Sequence, residues 1–188
     1  MKYLSILLAL LFVVACEPAA DNPNTPTPPN QEENGEDNGE DNGKEDGKDD
    51  SWMNEVIDTS GADYLFKDNI TGKVMFLESN GLSTDYISLH DNAPGLTLFL
   101  DLYSPMVYDY VTPGIYTFGD GAAMTAHREY CYIRFPDETL MRFTDGRVKV
   151  IADPEHSSGY PYYHITARFV NEAGEVIVAD YEGQLIEQ

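Results

Sequence analysis

Two clusters of tyrosine residues have the residue types and the spacing of a sugar-binding surface. Tyr108 and Tyr110 flank an aspartate just before a Pro-Gly turn, and Tyr160 and Tyr162 alternate in a loop-like stretch rich in Ser, Gly and Pro. An exposed ring can stack on the apolar face of a sugar while neighbouring polar groups bind its hydroxyls. These four tyrosines are therefore the candidate ligand-binding residues. A protein partner would suit the same surface, and a place in the core is the alternative for each ring.

The sequence contains no arrangement typical of a catalytic or metal centre. Its histidines form no HxH or HExxH motif and do not pair with a cysteine at zinc spacing; they are His90, His127, His156 and His164. No Gly-x-Ser-x-Gly elbow occurs. Cys131 lies in phase with apolar strand residues, which favours a small buried side chain over a nucleophile. We predict a non-catalytic protein without metal or cofactor, although a fold could still bring distant histidines or two carboxylates together.

The N-terminal segment predicts a signal peptide. Lys2 precedes a largely apolar run from Leu4 to Val14. As a helix this run would span roughly 16 Å, which is about half the hydrocarbon thickness of a bilayer. The run is therefore too short to cross a membrane and is typical of a processed signal, which we assign to residues 1–15.

Cys16 follows this run directly, and Val13-Val14-Ala15-Cys16 resembles the lipobox of bacterial lipoproteins. That resemblance implies acylation of the Cys16 thiol by fatty acids such as palmitate, and cleavage just before it. Two or more acyl chains give stable anchoring where one gives only marginal binding. We therefore expect the protein to be lipid-anchored at the outer membrane and exposed on the cell surface. The alternative is a secreted protein in which Cys16 has no role.

The charge of the chain excludes several kinds of partner. Its net charge is −22, and it is acidic in both parts: the segment 17–51 carries twelve acidic and two basic residues, and the segment 52–188 carries twenty-one acidic and eight basic residues. Such a chain repels nucleic acid and anionic lipid headgroups. With Cys16 acylated, Cys131 would have no partner for an intrachain disulfide.

Residues 16–51 are predicted to be the lipidated cysteine and a disordered linker. Asn34 to Asp49 is a repeat of four-residue units rich in Asn, Gly and acidic residues. A stretch so poor in large apolar side chains cannot offset its ordering entropy by burial. Its expected role is reach, since such a chain averages roughly 30–35 Å end to end. Calcium binding is the alternative, but the spacing of an EF-hand loop is missing.

Residues 52–188 are predicted to form a single all-β domain. Runs rich in Val, Ile, Tyr, Phe and Thr alternate with turns that contain Gly, Asn or Asp. Leu96, Leu98, Leu100 and Leu102 would share one face of a strand, with Thr97 and Asp101 on the other. Asp145-Gly146 predicts a hairpin. Eight to ten strands without a strong helix favour an antiparallel β-sandwich, with a small lipocalin-like β-barrel as the alternative.

Residues 110–185 carry a second resemblance, through Pro113 to Phe118, Thr144 to Val150, Tyr163 to Thr166, and Asp180 to Gly183. This order of motifs is similar to that of small surface lipoproteins of Bacteroidetes. The resemblance implies an all-β surface protein without assigned catalysis, and it carries no functional residue over. We therefore expect a lipid-anchored binding or accessory protein whose partner is a glycan or another protein. A structural subunit of a surface assembly, or an adhesin, is the alternative.

Overall fold

The computed structural model describes residues 50–105 and 109–188, and this part of the chain consists almost entirely of β-structure. The predicted lipidation site Cys16, the predicted linker up to residue 49 and Tyr108 lie outside the described residues. A 3₁₀ turn at Asp50–Asn54 precedes eleven strands. They are β1 (Tyr64–Phe66), β2 (Ile70–Ser79), β3 (Leu82–Asp91), β4 (Thr97–Ser104), β5 (Gly114–Gly119), β6 (Thr125–His127), β7 (Tyr132–Arg134), β8 (Leu140–Asp153), β9 (Tyr162–Asn171), β10 (Val176–Gln184) and β11 (Ile186–Glu187). The predicted all-β class is confirmed.

The strands form one sheet, part of which closes on itself. Neighbours pair in the order β1-β10-β9-β8-β5-β6-β4-β3-β2-β11. In addition, β7 pairs with both β4 and β8, so that β8, β5, β6, β4 and β7 make a closed ring of five strands. The chain then runs from β10 into β11, which pairs with β2. This closure agrees with the barrel alternative, because ring closure removes free strand edges.

The hairpin between β2 and β3 shows how the sequence sets the register. Asn80 and Gly81 have φ angles of 55° and 75°, and the flanking Ser79 and Leu82 pair directly. A two-residue turn with positive φ at both positions matches the twist of the strands, and Asn-Gly adopts it at little cost. The turn fixes which side chains of β2 and β3 share a face.

The predicted hairpin at Asp145-Gly146 is wrong. Both residues lie inside β8, which is fourteen residues long and has a bulge between Phe143 and Asp145. Gly146 is needed for packing, since a Cβ there would lie 2.0 Å from a ring carbon of Phe169. The Phe169 ring stacks on Phe143 with centroids 4.4 Å apart. A glycine in a strand here marks a close approach of a ring rather than a turn.

The inner face of the sheet carries the core. Most strands of the sheet contribute fully buried side chains; they include Ile87, Leu100, Tyr116, Val150, Ile165 and Ile177. The strand β4 is unusual because it is buried on both faces. Leu98, Leu100 and Leu102 point inward as predicted, but Asp101 on the outer face is only 4% exposed. Other side chains on the outer face of the sheet therefore cover Asp101.

The segment that leads into β1 is fastened to the outer face of β8 and β9. Lys149 Nζ donates hydrogen bonds to the carbonyls of Met53 and Glu55 at 2.6 and 2.7 Å. Arg168 donates to the carbonyls of Asp58 and Ser60 at 3.0 and 2.9 Å. Cationic side chains bound to backbone carbonyls hold this segment, hereafter the N-terminal strap (residues 50–63), against the sheet.

Candidate functional site

A pocket of about 370 Å³ opens where β9 begins and β10 ends, and we call it the barrel-end pocket. Its lining includes Val74 and Phe76 of β2, Tyr160 and Tyr163 around the start of β9, and the carboxylates of Asp109 and Glu187. Apolar walls with a few polar groups are typical of a site for a small ligand, and this volume is near the lower end of the usual range of roughly 300–1,000 Å³.

Tyr160 stands at this pocket on a loop with its own hydrogen bonds. Gly159 has a φ of 79° and its amide donates to the carbonyl of His156 at 2.9 Å. The His156 ring and the Ser158 hydroxyl hydrogen-bond to each other at 2.9 Å, and Gln184 donates from β10 to the same hydroxyl. The loop is thus tied to β10 while the Tyr160 side chain remains 69% exposed.

The segment that follows Asp109 is anchored inside the sheet. The amide of Val111 donates to the hydroxyl of Tyr163 at 3.2 Å, and the hydroxyl of Tyr116 donates to the carbonyl of Thr112 at 2.6 Å. Burial is the main cause that raises the pKa of Tyr163 to about 12. Both phenols therefore stay neutral at ordinary pH. Tyr163 also lines the barrel-end pocket, so its hydrogen bond with the Val111 amide connects the pocket wall to the buried segment after Asp109.

A carboxylate lies next to these phenols in the interior. Asp85 is fully buried, and Ser83 donates to its Oδ1 at 2.9 Å. Its Oδ2 has no hydrogen-bond partner within residues 50–105 and 109–188. Burial raises the pKa of Asp85 to about 6, against the opposing effect of the Ser83 hydroxyl and the Thr112 amide. The interior of this sheet therefore contains a carboxylate oxygen, Oδ2 of Asp85, that is buried without a hydrogen-bond donor in the described part of the chain.

The four candidate tyrosines take different places. Tyr108 lies outside the described residues, and Tyr110 is half-buried against the core. Tyr160 lines the barrel-end pocket together with Asp109, so the two sequence clusters meet there. Tyr162 is not among the residues that line the pocket, and its ring stacks on His156 with centroids 4.7 Å apart. The structure thus brings one of the candidate rings to the pocket.

A second aromatic surface covers the outer face of β3, β4 and β7. The rings of Tyr86 and Phe99 stack with centroids 5.6 Å apart, and those of Phe99 and Tyr132 lie 4.9 Å apart. The Tyr86 and Tyr132 hydroxyls hydrogen-bond to each other at 3.1 Å. The guanidinium of Arg134 lies over the Phe99 ring at 5.1 Å. These rings form a continuous ridge across three strands.

A groove of about 520 Å³ runs beside this ridge, and we call it the Asp101 groove. Its lining includes Met75, Leu77, Tyr86, Asp101, Tyr103 and Tyr130. Burial raises the pKa of Asp101 to about 6, and the charge of Asp85, which lies on β3 and points to the inner face of the sheet, adds to the effect. Burial also raises the pKa of Tyr103, and the charge of Asp101 adds to this increase. The Asp101 carboxylate therefore lies close to the phenol of Tyr103.

Thr84 adds a second polar group to the lining of the Asp101 groove. The residue is 5% exposed, and its hydroxyl has no hydrogen-bond partner in the described part of the chain. The Thr84 side chain lies near the Tyr103 phenol and partly counteracts the rise of the Tyr103 pKa. The Thr84 hydroxyl is nevertheless outside hydrogen-bond geometry. The groove thus contains one buried hydroxyl that its surroundings do not satisfy.

Sequence reasoning missed the Asp101 groove, although one signal was present. Cys131 was predicted to be buried in phase with the core, and it is fully buried. Because side chains alternate along an extended chain, Tyr132 at the start of β7 must then point outward, whereas Tyr130 lies in the turn before it. Nothing in the sequence places them beside Tyr86 and Asp101, which requires the pairing of β4 with β3 and β7.

The reactive groups of the described residues offer little chemistry. Burial raises the pKa of the Cys131 thiol to about 12, so a thiolate is disfavoured. No group of three or more His, Cys, Asp or Glu side chains within residues 50–105 and 109–188 is arranged to hold a metal ion. In the same residues there is no helix with the length and apolar character needed to cross a membrane.

Comparisons with protein families, with characterised proteins and with solved structures find no match to this chain. Its function must therefore be argued from the two sites themselves.

Proposed function

We propose that this chain is a lipid-anchored binding protein of the outer membrane surface that takes a glycan at the barrel-end pocket and does not catalyse a reaction. The anchor would be Cys16, because the lipobox-like residues before it imply acylation. The acidic segment 17–51 would give the domain reach from the lipid surface. The folded part would then carry the binding site.

The observation that carries this proposal is the place of Tyr160. Its ring is 69% exposed at a pocket whose lining also provides the Asp109 and Glu187 carboxylates and the Gln184 amide. A sugar presents C–H faces to an aromatic ring and hydroxyl groups to carboxylates and amides. A site of about 370 Å³ would hold one or two sugar units rather than a long chain.

A structural role in a surface assembly is the second candidate, and the strand edges disfavour it. Assembly by strand addition needs an exposed edge. The run Val176–Ala179 of β10 was the obvious donor of such an edge, but Ile177, Val178 and Ala179 already pair with β1. The sheet ends in β1 and β11, which are only three and two residues long, and such short edge strands disfavour the addition of a partner strand. Ligand binding at the pocket is therefore the better proposal.

The test is a glycan array probed with the full chain, followed by calorimetric titration of the glycans that bind. Stacking on a single ring should give dissociation constants between micromolar and millimolar, or roughly −8 to −4 kcal/mol. Tyr160→Ala should abolish binding and change the free energy of unfolding by less than about 1 kcal/mol, because the ring is exposed. Tyr130→Ala is the matched control, since Tyr130 is also a partly exposed ring and does not line this pocket, and it should bind glycan as the wild type does.

Two results would overturn the proposal. The first is the absence of any bound glycan with a wild-type chain that melts cooperatively. The second is full binding by Tyr160→Ala.

A further inference from the structure

We propose that the Asp101 groove is a second binding site, and that it takes a primary alkylammonium group whose N–H donors pair with the Asp101 carboxylate. The proposal is independent of glycan binding, because no residue of this groove lines the barrel-end pocket. It rests on four features of the groove: an unpaired carboxylate, aromatic walls, an apolar floor and the absence of a cation.

The first feature is the carboxylate. Asp101 is 4% exposed, and its carboxylate lines the groove. Burial raises the pKa of Asp101, the charge of Asp85 adds to the rise, and no hydrogen bond or cation within residues 50–105 and 109–188 is among the causes that would lower it. The amide of Asp101 itself is used, since it donates to Sγ of Cys131 at 3.4 Å. A buried carboxylate without a counter-charge is unfavourable, so a cation that reached it would be strongly preferred over water.

The second feature is the aromatic wall. Tyr86, Tyr103 and Tyr130 line the groove around Asp101. Asp101 pairs directly with Tyr86 across β3 and β4, and Tyr103 is two residues further along β4 on the same face, so the carboxylate lies between the two rings. Rings arranged around a negative charge attract an organic cation through their faces. They do so less well for a hydrated metal ion, which needs several oxygen ligands.

The third feature is the floor. Met75 and Leu77 are 37% and 49% exposed, although both are apolar, and they lie on β2 beside Tyr86 and Thr84 respectively. An alkyl chain attached to the ammonium group could lie along them and bury apolar surface. The Thr84 hydroxyl would accept a second N–H from the same nitrogen.

The fourth feature is that the chain supplies no cation here. Arg134 lies over the Phe99 ring and pairs with Glu138 at 3.7 Å. It does not line the groove, although its charge acts on Tyr86. His127 packs behind the wall, with ring centroids 5.5 Å from Tyr103 and 4.8 Å from Tyr130, and does not line the groove. The charged residues that do line it are Asp101 and Glu78. The groove is therefore negative, aromatic and open.

These features favour N–H donors over a quaternary ammonium ion or a sugar. A quaternary ion would satisfy the rings but could not donate to the Asp101 carboxylate or to the Thr84 hydroxyl. A sugar hydroxyl could donate but would leave the buried charge without a counter-charge. A primary alkylammonium group meets both requirements.

The test is calorimetric titration of the full chain with n-butylammonium, tetramethylammonium and glucose as separate probes. We expect n-butylammonium to bind in the millimolar range and more tightly than tetramethylammonium, and glucose to leave the groove unoccupied. Asp101→Asn should weaken butylammonium binding at least about tenfold, since hydrogen bonds to charged groups are the strong ones. Asp153→Asn is the matched control, because Asp153 is an exposed carboxylate outside the groove, and it should bind normally.

Tyr130→Ala provides a second test that does not depend on a buried residue. Tyr130 is 49% exposed, so its loss should weaken butylammonium binding while the chain stays folded. Tyr160→Ala should leave butylammonium binding unchanged, which separates this site from the barrel-end pocket. The proposal is overturned if butylammonium does not bind, if tetramethylammonium binds as tightly, or if Asp101→Asn binds as the wild type does.

Discussion

The backbone amide of Asp101 donates a hydrogen bond to the Sγ atom of Cys131 at 3.4 Å. This contact fills a gap in the ladder along β4. One edge of β4 pairs with β7 at Thr97 to Phe99 and with β6 at Leu102 and Tyr103. Between these two stretches a thiol takes the place of a backbone carbonyl. A sulfur atom is a weak acceptor, but it satisfies an amide that would otherwise be buried without a partner.

The first prediction concerns this thiol. Cys131→Val keeps an apolar side chain of similar size but removes the acceptor, so it should lower the free energy of unfolding by about 1–3 kcal/mol, the cost of an unsatisfied buried donor. Denaturant unfolding measures this change. In the wild type, iodoacetamide should label Cys131 only after unfolding, because the thiol is fully buried. Rapid labelling of the native protein, or a Cys131→Val chain as stable as the wild type, would contradict this role.

The second prediction concerns pH. The pKa of Asp85 is raised from 3.8 to about 6 in the folded state. A carboxyl group with a raised pKa supports the fold while it is protonated, and this support is lost as the pH rises from about 4 through about 6. Asp85→Asn should therefore raise the free energy of unfolding at pH 7.5 by about 1–3 kcal/mol and have a much smaller effect at pH 4. Equal effects at the two pH values would show that Asp85 is not protonated preferentially in the folded state.

The third prediction concerns Gly146. Gly146→Ala would place a methyl group against the ring of Phe169, so it should lower the free energy of unfolding by about 1–3 kcal/mol through overpacking. Phe169→Leu should cost less in the Gly146→Ala background than in the wild type, because the smaller side chain makes room. Additive costs in this double-mutant cycle would argue against a direct clash.

The fourth prediction concerns the anchor. Cys16→Ala should move the protein from the membrane fraction to the soluble fraction, because the thiol that would be acylated is gone. Metabolic labelling with a fatty-acid analogue should mark the wild type but not the variant. Wild-type protein without the label, or a variant that fractionates as the wild type does, would overturn the lipid anchor at Cys16.

The fifth prediction concerns the linker. Deleting Pro23 to Gly47 should leave the melting temperature of the domain unchanged within error, because the deleted residues are too polar to contribute a core. Thermal melts of the two chains give the comparison. A loss of more than about 1 kcal/mol would instead indicate that this segment packs against the domain.

The sequence predicted those parts of the fold that depend on local chemistry. Asn80-Gly81 could be recognised as a turn because only a few residue types adopt positive φ readily. Asp145-Gly146 has a similar composition but lies inside β8, where the ring of Phe169 requires a glycine. That requirement comes from another strand, so a local pattern could not distinguish the two cases.

The candidate sites were predictable to a smaller extent for the same reason. Tyr160 could be proposed from its neighbours in the sequence, and it does line a pocket. The Asp101 groove combines β2, β3, β4 and the turn before β7, so it exists only once the register is set. The sequence also gave no sign that Asp85 is buried, because the inner face of a strand such as β3 is expected to carry apolar side chains.

The N-terminal strap has a mechanical consequence. Any pull from a membrane anchor enters the domain through residues 50–63, whose attachments to Lys149 and Arg168 are hydrogen bonds to carbonyls on the outer surface. These bonds can break under tension without opening the core. Once released, the strap would lengthen the tether by up to roughly 45–50 Å at full extension. With the proposed anchor at Cys16, the domain would thus yield at its attachment first, while the barrel-end pocket and the Asp101 groove stay folded.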